Sequence, residues 1–411
     1  MYRYEATEST STTTIQYAFD SSAHFPRPFL SPSPRFDFSF NPSLRTLPCV
    51  IILHDSEPGG FDIARWIAGG LSHTQHIKNP LMPSSFGSYF TYNLQRNQNH
   101  DPFAPQNMKS KDGSKPRKAS DVDHVLDNDT IPSFSGTKKY SVPSPPLGLL
   151  SISRPGYLLS TTTENVSFQS EALSILRMLD NLRIGTVSIL AHGVSAPVAM
   201  EMASLPGFRN RTRSLAFINP KFSLNNRKGS SMVTRSSLWP EWLQTWVAYK
   251  SYARDIDDPV FLQSISELAG PAAVNEIMDD PVFAELYSDI GVFFTSYGMR
   301  RPGVKSDLEK LSALDSDNEK KRRWSFINAP VLCLTTSQST SGSASDKFSK
   351  EADLYEEQSK AALMNIQSTT KNFTRVLGGS STLFPLGEVA HHYLEFLREY
   401  DQIDYMTAYL S

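Results

Sequence analysis

Apolar and polar positions along the chain alternate in blocks that predict strands separated by helices. "CVIILHDSEPGG", residues 49–60, is a short apolar run closed by turn residues, and it predicts a strand and a loop. "FDIARWIAGGL" follows, with Ile63, Trp66, Ile67 and Leu71 at helical spacing. Leu147 to Ser153 is strand-like. "SFQSEALSILRMLDNLRI" then sets Ala172, Leu173, Leu176, Leu179 and Leu182 on one helical stripe. "VSILAHGVSAPVAMEMASL" predicts a strand from Val187 to Leu190, a tight turn, and a helix from Ser195 to Leu205. A strand at Leu215–Ile218 comes next. The rhythm returns late in the chain with "APVLCLTTS" (strand), "KEADLYEEQSKAALMNI" (helix), "FTRVL" (strand) and "PLGEVAHHYLEFLREYD" (helix). Strands separated by helices imply a mostly parallel sheet with right-handed crossovers.

Three stretches depart from that rhythm. The first 48 residues are rich in Ser, Thr and Pro, with two alternating pieces, "TTIQYAFD" and "RFDFSF", that suit edge strands. Residues 93–146 are polar, charged and poor in aliphatics, and read as a disordered insertion that buries too little apolar surface to order itself. Residues 220–325 read as helices with aromatic faces, and no strand signal stands out. Residues 401–411 form a short tail.

Composition adjusts this picture only slightly. The 411 residues suit one large domain or two ordinary ones, and a hydrophobic content of 39% suggests that part of the chain is unpacked. A net charge of −2 gives no electrostatic case for nucleic acid or an anionic membrane. The basic run Lys320–Arg323 follows acidic residues and reads as a solvated helix end or loop. Both cysteines, Cys49 and Cys333, adjoin apolar strands and read as buried thiols, as expected of a reducing, cytoplasmic setting. The N-terminus lacks the apolar core of a secretory signal, and no run reaches the roughly 18 apolar residues of a membrane span. No metal or cofactor motif is apparent.

The order of these pieces resembles the α/β-hydrolase fold superfamily. "ILHDSEPGG" stands where such proteins place an H-G loop after an early strand. "SRPGYLLS" is similar to their D-R-P-G-Y-G-x-S segment. "ALSILRMLDNLRIGTVSILAHGVSAPVAMEMA" resembles the helix, strand and nucleophile elbow. "APVLCL" and "TRVLGGSSTLFPLGEVAHHYLEFL" resemble the last two strands and the terminal helix. The resemblance covers about residues 50–71, 147–220 and 326–399, and it places a helical lid at 220–325. It implies a mostly parallel central sheet flanked by helices.

The resemblance also implies a Ser, an acid and a His in that chain order. The Ser attacks a carbonyl, His takes its proton, and the acid orients His. At the elbow position stands Gly193, which has no side chain to attack with. Ser195 lies two residues on, where a helix turns its side chain by about 200°. After the seventh strand, "CLTTSQSTSGSASDKF" offers no carboxylate before Asp346. After the eighth, Ser380, Ser381 or Thr382 fills the place of the His, and His391 and His392 fall in the following helix. The resemblance further implies oxyanion-hole donors at Val194 and in the loop His54-Asp55-Ser56. Asp55 replaces the usual Gly of that loop, a change that would close or acidify the pocket. His54, Asp55 and His192 are its nearest ionisable groups.

These residues leave three readings. One is a non-hydrolytic protein that binds a small apolar ligand or a partner, under a lid carrying Trp239, Trp242, Trp246, Phe293 and Phe294. Another is a lyase, isomerase or cyclase using His54, Asp55 or His192 in acid–base chemistry. The third is a hydrolase with a relocated Ser195, aided by Asp346 and a late His. No cofactor or metal is called for in any of them.

Overall fold

The computed structural model describes residues 2–8, 11–21, 48–56, 59–77, 147–161, 167–223, 259–290, 293, 297–316, 319–337, 353, 356–364, 366–379 and 383–400. The expected edge strand "RFDFSF", the insertion at 93–146, Trp239, Trp242, Trp246, Phe294, Asp346, Ser380, Ser381, Thr382 and the tail lie outside these residues.

Among the described residues, eight strands form one sheet. They are β1 (Tyr2–Glu8), β2 (Ser11–Ser21), β3 (Cys49–Leu53), β4 (Gly148–Ser153), β5 (Val187–His192), β6 (Thr212–Ile218), β7 (Val331–Ser337) and β8 (Lys371–Leu377). Their order across the sheet is β1-β2-β4-β3-β5-β6-β7-β8. The six strands β3 to β8 run parallel to their neighbours. The hairpin β1–β2 joins the sheet antiparallel through β4, with Gln16 opposite Ser153. The parallel sheet read from the sequence is therefore the central six strands. β1 was not foreseen, because its alternation of Tyr2, Tyr4 and Ala6 is short and weak.

The central strands are apolar on both faces, as strands covered by helices on both sides must be. Each strand of β3 to β7 divides its side chains between two cores. Val50, Ile52, Leu190, Ala216 and Leu332 pack on one face, and Ile51, Leu53, Ile189, Leu215 and Cys333 on the other. Helix α1 (Phe61–Ile77) covers the first face. Helices α2 (Phe168–Asn181) and α3 (Ala196–Ser204) cover the second.

α2 starts in a capping box in which Ser167 and Ser170 bond each other's backbone N–H. Its buried side differs from the stripe expected. Phe168, Ala172, Ile175, Met178 and Leu179 face inward, while Leu173 is 38% exposed. α2 carries two overlapping apolar stripes, and packing chooses the one containing Ile175. In α3 all nine residues are buried. Apart from Glu201 and Ser204 it is a helix of small and medium apolar residues wedged into the core.

Beyond the loop 220–223, the described part of residues 220–325 is mostly helical. It comprises α4 (Pro259–Asp279), α5 (Pro281–Ser288, N-capped by Asp280), α6 (Tyr297–Ser316) and α7 (Lys320–Trp324). α4 and α5 contribute Phe261, Ile265, Phe283 and Leu286 to the first core, together with the terminal helix α8 (Leu386–Tyr400). α6 contributes Leu311 and Leu314 to the second. Phe293 is buried edge-on to Trp66. α4 bends at Gly270, whose φ is +80°. A Cβ there would lie 2.6 Å from Gly378 Cα, so helix and post-β8 loop touch backbone to backbone.

The basic run is only partly solvated. Arg323 pairs with the buried Glu201 at 3.0 Å, and Trp324 Nε1–H donates to the same carboxylate at 3.0 Å. Cys49 and Cys333 are buried thiols, both pushed up to about 12 by burial. Among the described residues, no helix is long and apolar enough to cross a membrane.

Candidate functional site at the turn after β5

β5 ends at His192, Gly193–Ser195 make one tight 3₁₀ turn, and α3 begins at Ala196. Gly193 holds φ at +59°, in the left-handed region that favours glycine. The space beside it is filled. A Cβ built on Gly193 would lie 2.0 Å from Asp55 Cγ and within 2.2 Å of both carboxylate oxygens.

Asp55 reaches this place from the loop after β3 and is wholly buried. Its Oδ1 accepts the Val194 N–H at 2.8 Å and the Ser56 N–H at 2.7 Å. Its Oδ2 takes the Lys221 ammonium at 2.7 Å. Lys221 follows β6 and is itself tied to the turn, its N–H donating to the Gly193 carbonyl at 3.0 Å. Burial alone would raise the carboxyl's pKa. The Lys221 charge, His192 and the hydrogen bonds from Lys221 and Val194 outweigh burial and hold it at about 2. Asp55 is therefore an ionised, fully coordinated carboxylate. The expected oxyanion donors at Val194 and Ser56 do converge, and both point at Asp55.

Ser195 is buried beneath the turn. Its single Oγ–H is shared between the carbonyls of His192, at 2.9 Å, and Leu53, at 3.2 Å. That ties β3 to β5 under the elbow and aims the hydroxyl into the scaffold.

His54 is committed at both ring nitrogens. Nδ1–H donates to the Asp55 carbonyl at 2.6 Å, and Nε2 accepts the Arg154 N–H at 2.9 Å. That pair of bonds fixes one neutral tautomer. Burial, then the Arg154 charge, pushes its pKa down to about 3. His192 is buried and edge-on to Phe384, with ring centroids 5.0 Å apart. His391 and His392 lie on α8, where His391 Nε2 is 3.2 Å from Glu395.

Two features near the site went unread in the sequence. The first is Lys221, a lone lysine in "NPKFS" with no spacing partner to mark it. The second is a buried ionic cluster on the "RPGY" segment. Arg154 forks to Glu171 on α2 at 2.7 Å and to Asp307 on α6 at 2.6 Å. Lys310 joins Glu171 at 2.6 Å, and Tyr157 Oη–H donates to Asp307 at 2.6 Å. The same α6 holds the Asp55 loop through Arg300, which bonds the Gly59 carbonyl and Asp62. The arginine of "RPGY" was the only available signal, since its partners lie 17 and 153 positions away. At the end of β7, Thr336 exchanges two 2.8 Å hydrogen bonds with Asn219, joining the ends of β6 and β7.

No family model matches the chain, and no curated protein does either. Solved structures are similar to it in outline. An α/β-hydrolase fold protein from Nakamurella multipartita is 15% identical, with a TM-score of 0.47, over 97% of this chain and 99% of that one. A thermophilic esterase from Thermogutta terrifontis is 11% identical, with a TM-score of 0.44, over 98% and 100%. A bromoperoxidase from Bacillus anthracis is also 11% identical at 0.44, over 97% and 100%. The strand order, the tight turn after β5 and the helices on both faces give this chain the α/β-hydrolase fold.

Proposed function

We propose that this is a non-hydrolytic α/β-hydrolase-fold protein that acts by binding, taking a small apolar ligand or a partner. The observation that carries the reading is the Asp55 carboxylate, seated beside Gly193 on the Val194 N–H. An ester carbonyl entering the elbow needs that donor and that volume. It would also meet a fixed negative charge where an oxyanion has to develop.

The nearby groups support the same reading. The Ser195 hydroxyl bonds backbone carbonyls and has no base beside it among the described contacts. His54 is neutral with both nitrogens engaged, so it has no lone pair to offer as a general base. Asp55, at about 2, is too weak a base for acid–base chemistry near neutral pH. The aromatic-rich sequence of 220–325 supports an apolar ligand, and the two buried thiols support a reducing, cytoplasmic location.

The test is turnover of p-nitrophenyl esters of short and medium chain length. The expected result is no rate that depends on Ser195. Turnover abolished by Ser195→Ala would overturn the proposal.

A further inference from the structure

Asp55 sits in the elbow as a ligand sits in a receptor. Three segments converge on its carboxylate through donors within 2.8 Å, and the Ser56 hydroxyl adds a longer contact of 3.4 Å to the same oxygen as its N–H. The three close donors are the Ser56 N–H from the loop after β3, the Val194 N–H from the turn after β5 and the Lys221 ammonium from the loop after β6. Two N–H groups meet one oxygen and the ammonium meets the other, which suits a planar, two-oxygen anion. The missing side chain at 193 supplies the room. The occupant is fully buried and ionised, so the cradle does coordinate a carboxylate in this chain.

We infer that the elbow is a carboxylate-binding cradle whose resident ligand is the chain's own Asp55, which shuts the site against free monocarboxylates. This rests on the elbow being a binding site and not a hydrolytic one. A tethered ligand competes at the high effective concentration of an intramolecular group, so the native chain excludes small carboxylates. Removing the tether opens the cradle. Asp55→Ala vacates the volume of a formate ion. Asp55→Gly vacates that of an acetate ion.

The experiment is thermal unfolding of the full chain in sodium formate, sodium acetate or sodium chloride at matched ionic strength. Asp55→Ala is expected to melt below the native chain and to regain a few degrees, saturably, in formate over chloride. Asp55→Gly is expected to respond to acetate at least as strongly as to formate. Adding Lys221→Met to either variant removes the response, and the native chain shows none. If Asp55→Ala does not fold in chloride, its yield of refolded protein in formate against chloride reads the same quantity. A response to formate equal to that in chloride, or an equal response in the native chain, overturns the inference. Neither of those outcomes involves ester turnover, so the non-hydrolytic reading stands or falls separately.

Discussion

Positions 55 and 193 compete for one volume, and that competition explains the local chemistry. A side chain at 193 would overlap the Asp55 carboxyl group, and a carboxylate at 55 leaves room for none at 193. Gly193→Ser alone should therefore lower stability without producing ester turnover, since the new Cβ also meets an unfavourable φ. Combining it with Asp55→Gly should cost less than the sum of the two single changes. A denaturant double-mutant cycle should read a coupling of about 0.5–3 kcal/mol.

The Asp55–Lys221 pair also sets an acid dependence. Asp55 is held at about 2, below its ordinary value near ~3.9. Its contribution is complete above that ordinary value and is lost as pH falls towards 2. Lys221→Met removes the charge that holds it down, so the stability advantage of the native chain over the variant, read by denaturant unfolding, should shrink as pH falls from about 4 towards 2. Of this pair, the sequence pointed to Asp55 because it replaces a glycine. Lys221 was invisible, because the pair spans 166 positions and only the sheet order brings its members together.

At the scale of elements, the described helices of 220–325, α4 to α7, pack into the two cores. The cluster of Arg154, Glu171, Asp307 and Lys310 fastens α6 to α2 and to the turn after β4, with all four side chains at most 2% exposed. Removing one member leaves uncompensated buried charge. Asp307→Ala should cost about 3–5 kcal/mol, with amide hydrogen exchange in α6 accelerating first.

On the opposite face, Glu276 of α4 accepts the N–H of Glu388 at 3.1 Å and the Tyr287 hydroxyl at 2.9 Å, joining the insert to the start of α8. Burial pushes its pKa up to about 7, with Glu388 adding to the rise and those hydrogen bonds opposing it. A raised carboxyl stabilises the fold fully below its unfolded value near ~4.3, and this contribution fades as pH climbs through 7. Exchange at the first turn of α8 should accelerate over that range, after correction for intrinsic rates. Glu276→Gln should flatten the dependence.

Period alone located the strands β3 to β8 and the helices between them, because each is an apolar block bounded by turn residues. It misjudged the inward side of α2, where Leu173 and Ile175 belong to competing stripes that only packing separates. It also passed over β1, which joins the sheet only as the outer strand of a hairpin.

Across the described residues, the scaffold and the proposed loss of the reaction have different origins. The scaffold is specified redundantly, by alternating blocks, by two cores and by buried ties such as Ser195 to β3. The reaction would depend on a few side chains at loop ends, where single substitutions change everything. Order along the chain therefore made the fold legible, while the state of the elbow depended on contacts between distant loops. Gly193 in the turn was plain to read. Asp55 was marked as a change that would close or acidify the pocket, but its seat beside Gly193 and its Lys221 partner were not legible.

The central claim is that the turn at Gly193 holds no nucleophile, and an active-site fluorophosphonate tests it most directly. The folded native protein should be incubated with the probe beside an active serine esterase, and both weighed by intact mass spectrometry. The account predicts full labelling of the esterase and no added mass on this protein. A stoichiometric adduct that maps to Ser195 would contradict it.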